Sequence, residues 1–494
     1  MSVTASLKAL GEALSIRWAA RWTLCGLLTM HTLLLAYSAY VHSPTLNEPG
    51  HLVAGLSHWR FGRFELYRVN PPLVKMVAAL PVMAVGYEED WSSFYEGPGA
   101  RPEMAMGEDF VAANGERSFF LFMIARWACI PFSWIGAITC YLWARDLYGR
   151  PAGLLAAALW CFEPNILAHA SLMTPDIGGT ALGVAACYTF WCWLKTPTWP
   201  QAALTGVVLG LAELCKTTLI LFYPLWPLMW IVYRVAESRK SRVKRQEPAT
   251  NQSVIPESSG TQSPTPQSAF GNQNSFWLRE AVMLALRMLI GIYVLNLGYA
   301  FEGSFTQLKE FHFVSELFTG VDTQSSPTDH GPRTTYPTNR FSNTFLGHLP
   351  VPLPKNYLLG IDLQQKDFEH YGRPSYLRGE WRDTGWWYYY LYASLIKVPL
   401  GLWALSLLAL VMPWVKECHC EDHAASLAAA KGVSCSIPQS EIRILHWKDT
   451  FILLTPAIVI FTVASMKCGF SEHFRYVLPC FPFVFIWIAR VARR

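Results

Sequence analysis

The stretch NEPGHLVAGLSHWRFGRFELYRVNPPL, residues 47–73, crowds acids, histidines and arginines behind the first long apolar run of the chain. Glu48, His51, Gly55 and His58 fall on one stripe of a helix, with Leu52, Leu56 and Trp59 on the next. That pattern predicts an amphipathic helix lying flat at a membrane surface. Glu48 stands near its start, where the helix dipole favours a negative charge. It reads either as a capping acid or as an acid/base group. Asp176, in MTPDIGG after Pro175, is likewise either a helix-start residue or a chemical group. Two carboxylates at outer helix ends, facing one cavity, suit general-base work or the holding of a divalent cation. The residues demand no other cofactor.

Two further stretches supply positive charge. GFSEHFRYVLP, residues 469–479, crowds Glu472, His473 and Arg475 into a tight turn followed by Tyr476, which is more than a plain interfacial turn requires. Lys397 lies about two helical turns beyond the aromatic belt of Trp386, Trp387 and Tyr388 to Tyr390. A lysine at that depth snorkels to the interface or partners a phosphate or carboxylate. Arg126 and Lys216, each near the outer end of its apolar run, pose the same choice. Cys418, Cys420, His423 and Cys435 follow no strong zinc spacing, so no metal site is assigned. No phosphate-cradling glycine loop, nucleotide fingerprint or Ser-His-Asp signature is present.

The elements that must position these groups are membrane helices. The chain has 494 residues, 52% hydrophobic and only 15% charged, with mean hydropathy +0.22. Soluble chains carry roughly 25% charged residues. The 21 Trp suit many membrane–water interfaces. The net charge of +5 sits in short clusters between apolar runs, so it reads as orientation signal and not as a nucleic-acid surface. Most of the 12 cysteines lie inside apolar runs, as small hydrophobes. The first run lacks a convincing cleavage site and reads as a retained helix.

Runs long enough to span, about 20 mostly apolar residues, are found at 19–41, 119–143, 152–172, 177–194, 201–216, 217–234, 280–301, 386–414, 449–466 and 474–490. The fifth and sixth are short and nearly continuous. Basic clusters before the first run and after the second, sixth, eighth and tenth all fall on one side of a ten-helix arrangement, which makes that side cytoplasmic. Two long loops, 42–118 and 302–385, then face outward, and the second covers the site. The fold expected is an all-α polytopic membrane protein. Its N-terminal catalytic module covers 1–235, a disordered cytoplasmic linker 236–278, and a C-terminal membrane region 279–494.

An acid after the first helix, then Pro71-Pro72-Leu73, TPD at 174–176, GLAELCKTTLILFYP at 210–224, GWWYYYLYASLIKVP at 385–399 and FRYVLPCFPF at 474–483 follow one another over nearly the whole chain. This set resembles the membrane glycosyltransferases with the C-type fold, the protein O-mannosyltransferases and the lipid A aminoarabinose transferase. The resemblance implies transfer of a sugar, with inversion, from a polyprenyl- or dolichyl-phosphate donor to an extracytoplasmic hydroxyl of a protein, lipid or glycan. The family's first acid motif falls on Asn47-Glu48 and its second acid on Asp176. Donor and acceptor contacts are expected from Asn47, His51, Arg68, Asn70, Lys75, Arg126, Lys397, His473, Arg475 and Tyr476.

The chain departs from the family at two places. Asn47 stands where an Asp base is usual, and an amide accepts no proton. Asn70 stands where a basic residue or His is common; Arg68 and Lys75 are placed to replace that charge. The base is then Glu48 or Asp176, or the branch has lost the chemistry and binds a carrier lipid or a partner. A transporter or flippase for a lipid-linked substrate, the other alternative, would carry charges deep in several helices. The large sugar-binding insert of the eukaryotic enzymes is lacking, which points to a bacterial inner membrane, and the chain ends directly after its tenth run, as a shortened version would.

Overall fold

In lipid, each backbone N–H and C=O must be satisfied within its own segment, so the apolar runs become helices. The computed structural model describes residues 3–246, 266–320, 339–369, 372, 374–412, 439–467 and 471–493. Among these, α1 (Val3–Val41) precedes three helices of the first loop, α2 (Glu48–Phe61), α3 (Leu73–Val85) and α4 (Glu103–Asn114). Next come α5 (Arg117–Tyr148), α6 (Arg150–Phe162), α7 (Pro164–Ala170), α8 (Pro175–Lys195), α9 (Trp199–Glu213) and α10 (Phe222–Gln246). After α11 (Pro266–Gly298), the second loop holds α12 (Glu316–Thr319), α13 (Lys355–Glu369) and a hairpin of β1 (Ser375–Leu377) and β2 (Glu380–Arg382), paired with Tyr376 opposite Trp381. Helices α14 (Tyr389–Lys397), α15 (Leu400–Met412), α16 (Gln439–Lys467) and α17 (Phe481–Ile488) complete the chain.

Seven of these segments are long and apolar enough to cross a bilayer singly, and two bent pairs bring the number to nine. The bends are 61° between α6 and α7 and 107° between α14 and α15. Each bend has a proline at or beside the break, Pro164 and Pro399, and proline removes a helical hydrogen bond. The tenth expected span, 201–216, is α9. Its 15 residues reach only about 22 Å, short of a bilayer core of about 30 Å. Gly206 and Gly210 let α9 pack directly on α11, since a Cβ at Gly206 would meet the Arg287 carbonyl at 2.5 Å. Small residues at such a crossing are how membrane helices approach closely. The chain is thus an all-α polytopic membrane protein whose sole sheet, among the described residues, is the small hairpin.

The polar stripe of helix α2 is not a solvated face. Residues Gly50 to His58 are buried, and the helix packs against α3, α4 and α5. The polar stripe faces inward because Gly55 admits α3 to within backbone contact; a Cβ there would meet the Lys75 carbonyl at 2.2 Å. The helices flanking the 236–278 segment reach Gln246 and resume at Pro266. The 417–435 cysteine cluster lies outside the described residues.

Candidate functional site

The first acid forms a clamp. The Glu48 side chain is fully buried, and its carboxylate accepts from Arg126 Nε at 2.8 Å and Nη2 at 2.7 Å. It also accepts from the Thr45 backbone N–H at 2.8 Å, the Thr45 hydroxyl at 3.0 Å and the Met173 N–H at 3.4 Å. The remaining Arg126 donors go to the carbonyls of Ala39, His42 and Ser43, at 3.2, 2.7 and 3.0 Å. A guanidinium has five N–H groups, and here all five are engaged. The carbonyls at the end of α1 would otherwise be orphaned. Arg126 therefore ties α1, α2 and α5 together and has no donor left for a phosphate, which corrects the substrate-binding role expected of it. Glu48, expected to exchange a proton, has its oxygens filled by five donors.

The second acid anchors a different centre. Asp176 sits in the first turn of α8, 3% exposed. Its Oδ1 accepts from Lys216 Nζ at 2.7 Å. Lys216 lies between α9 and the 3-10 turn Thr217–Leu221. Gly179 makes the approach possible, because a Cβ there would stand 2.7 Å from the Lys216 Cβ. Arg475 and His169 lie within charge–charge reach of Asp176. Lys216 Nζ is 5.9 Å from the centre of the Tyr476 ring, and Lys397 Nζ is 5.5 Å from that of Phe474. His473 is influenced by Arg475, Asp176 and Lys397; burial first, then Arg475, lowers it to about 4. The structure thus brings together Asp176, Lys397, His473, Arg475 and Tyr476, drawn from segments far apart in sequence.

His51 faces the same centre from α2. It is 2% exposed and stacks on Tyr67, ring centroids 4.4 Å apart at 27°. Burial, then Lys75 and Arg475, hold it well below the usual histidine range, against an opposing pull from Asp176. Tyr67 has φ 56°, a left-handed conformation that is uncommon for an aromatic residue. Buried Lys75 braces it, donating to the Tyr67 carbonyl at 3.1 Å and the Asn70 carbonyl at 2.8 Å. Burial pushes Lys75 down to about 7. Lys75 and Asn70 therefore shape the loop beneath the site. Arg68 lies apart, lining an outer groove of about 200 Å³ with Glu65, Glu302 and Lys355. Asn47 is half-buried; its carbonyl accepts from the His51 N–H at 3.1 Å.

The second loop closes over this centre. Thr217, beside Lys216, donates to Gln364 of α13 at 3.0 Å, and Phe368 packs edge-on to Tyr476. Arg101 bridges Glu103 of α4 and Asp367 of α13. The turn bearing His473 is held by the Ser471 N–H on Ser375 Oγ and by the Trp386 N–H on Ser471 Oγ, both 2.9 Å. Among the described residues, no group of three or more His, Cys, Asp or Glu is placed to hold a metal ion. Sequence reading passed over His169 and Tyr67. A lone histidine just before MTPD and a lone loop tyrosine carry no periodic signal.

Residues 120–251 match the family described as dolichyl-phosphate-mannose-protein mannosyltransferase. No curated protein sequence matches the chain. Two solved structures of ArnT from Cupriavidus metallidurans are similar to it. The one bound to undecaprenyl phosphate shares 13% identity at a TM-score of 0.45, covering 95% of this chain and 59% of that one. The apo form shares 14% at 0.42, covering 96% and 60%. The chain thus spans about three fifths of the length of those structures. The family match falls on the segment that carries Arg126, His169, Asp176 and Lys216, and over that segment the chain is similar to the mannosyltransferase family.

Proposed function

We propose that this protein transfers a sugar from a polyprenyl- or dolichyl-phosphate donor to a hydroxyl acceptor, with inversion. The observation that carries the reading is the convergence of Lys216 and Arg475 on one buried acid, Asp176, with Lys397 close by on the side of His169 and His473. A lipid phosphate enters such a site from the bilayer with its charge at the helix ends. As the sugar–phosphate bond breaks, the departing phosphate gains negative charge, and cations already in place stabilise it. Asp176 orients Lys216 through their ion pair. Glu48 acts by position, through Arg126. The basic residues Arg145, Arg150, Arg234 and Arg490 lie at the opposite ends of their helices, so this site faces away from the cytoplasm.

Transfer from radiolabelled polyprenyl-phosphate sugars to endogenous acceptors in membranes tests this. Arg475→Gln and Lys397→Gln should each lower it about 10²-fold, the usual cost of losing one charge-stabilising donor. Full transfer by both variants would overturn the assignment.

A further inference from the structure

Attack by a hydroxyl requires a neighbouring group with a lone pair free to take its proton. Three of the polar groups nearby are poorly suited to that: an amide, a carboxylate filled with donors and a carboxylate held as an anion by neighbouring cations. Asn47 is an amide. Glu48 already accepts from five donors. Asp176 is bonded to Lys216 and faces Arg475, which ties up its charge. His51 is different. Its Nδ1 is buried with no hydrogen-bond partner, and its ring is fixed by the stack on Tyr67.

We infer that His51 is the general base that deprotonates the acceptor hydroxyl. This rests on the glycosyl-transfer reading above. The acceptor O–H bond breaks and its proton passes to an imidazole ring nitrogen. The freed oxygen forms the bond to the anomeric carbon, and the bond from that carbon to the donor phosphate breaks, its electron pair leaving on the phosphate. The base thus sits one helical turn beyond Asn47, on the same face of α2, since the His51 N–H bonds the Asn47 carbonyl.

The surroundings suit both protonation states at the right moments. Burial first, then Lys75 of α3 and Arg475 of the 3-10 segment Phe474–Cys480, which face the ring, keep it neutral at rest. Asp176 of α8 faces it too, and Tyr67 covers its plane. As the proton arrives, Asp176 and the phosphate's growing charge stabilise the imidazolium. His169 and His473 instead lie within reach of both Arg475 and Lys397, among the cations that receive the phosphate.

The test measures transfer from radiolabelled polyprenyl-phosphate sugars to membrane acceptors, and separately the retention of undecaprenyl phosphate by the purified full chain in native mass spectrometry. His51→Gln should lower kcat by about 10²- to 10⁴-fold, the usual contribution of general acid–base catalysis, with donor KM and undecaprenyl phosphate retention within about threefold of wild type. Adding Asn47→Asp to His51→Gln should restore part of kcat and introduce an acid limb near the carboxylate range. Wild-type kcat/KM, which needs no variant to fold, should hold constant from neutral pH to below 6.5 and then fall as the ring protonates. Active His51→Gln in an active background, or a wild-type limb at or above 6.5, overturns the role of His51 and leaves the glycosyl-transfer reading standing. A wild type that neither transfers sugar nor retains undecaprenyl phosphate overturns both.

Discussion

At the scale of residues, the two acids that look alike in sequence do different work because their partners differ. Glu48 and Arg126 form a desolvated fork that also receives the end of α1. Removing one member of such a pair leaves an uncompensated charge, which costs about 3–5 kcal/mol. Glu48→Gln should therefore lower the thermal midpoint of the purified protein sharply, and Glu48→Gln with Arg126→Gln should lower it by less than the sum of the two. Strict additivity in that cycle would contradict the clamp. Histidine titration supplies a second prediction. The His473 pKa is depressed to about 4 in the folded state from an unfolded value near 6.5. The unfolded chain then binds more protons between those values, so stability is full above pH 6.5 and declines as pH falls towards 4. His51 and His58 are depressed as well and act in the same direction. Melting curves across that range check the sign, and His473→Phe should flatten part of the slope.

At the scale of elements, the glycines set how close the site's helices come. Ala at Gly55 would put a Cβ into the Lys75 carbonyl, and Ala at Gly179 would put one against the Lys216 stem. Each substitution should destabilise by about 1–3 kcal/mol. Gly179→Ala should in addition weaken transfer by displacing Lys216 from Asp176, a loss visible in kcat at a temperature where the variant stays folded. The same elements show what was legible beforehand. Spans and the acidic start of α8 follow from run length and from the residues around Pro175. The stripe of Glu48, His51 and His58 was legible too, but periodicity tells which residues share a face, not which way the face turns. That required knowing that α3 lies against Gly55 and α4 against Gly50. The role of Arg126 was illegible for the same reason, since its acceptors at 39, 42, 43 and 48 come together only in three dimensions.

At the scale of the whole molecule, charge is divided by end. The polar groups of the site cluster at one end of the bundle, beneath α13. The other end has ion pairs of its own, Lys195 with Asp449 and Arg234 with Glu280. The proposed orientation is testable on cells. A cysteine at exposed Ser92, in the first loop, should react with a membrane-impermeant maleimide on intact cells. One at exposed Thr198, between α8 and α9, should react only after permeabilisation. Labelling in the opposite order would invert the topology and place the site inside.

The central claim is that Lys216, Lys397 and Arg475 receive a lipid phosphate beside Asp176. Its most direct test is the affinity of the purified full chain, in lipid nanodiscs, for undecaprenyl phosphate, compared with that of a double variant, Lys397→Gln with Arg475→Gln. Loss of two charge-assisted contacts at about 1.5–3 kcal/mol each predicts a Kd raised at least about 100-fold, with the folded state retained. An unchanged Kd would contradict the account.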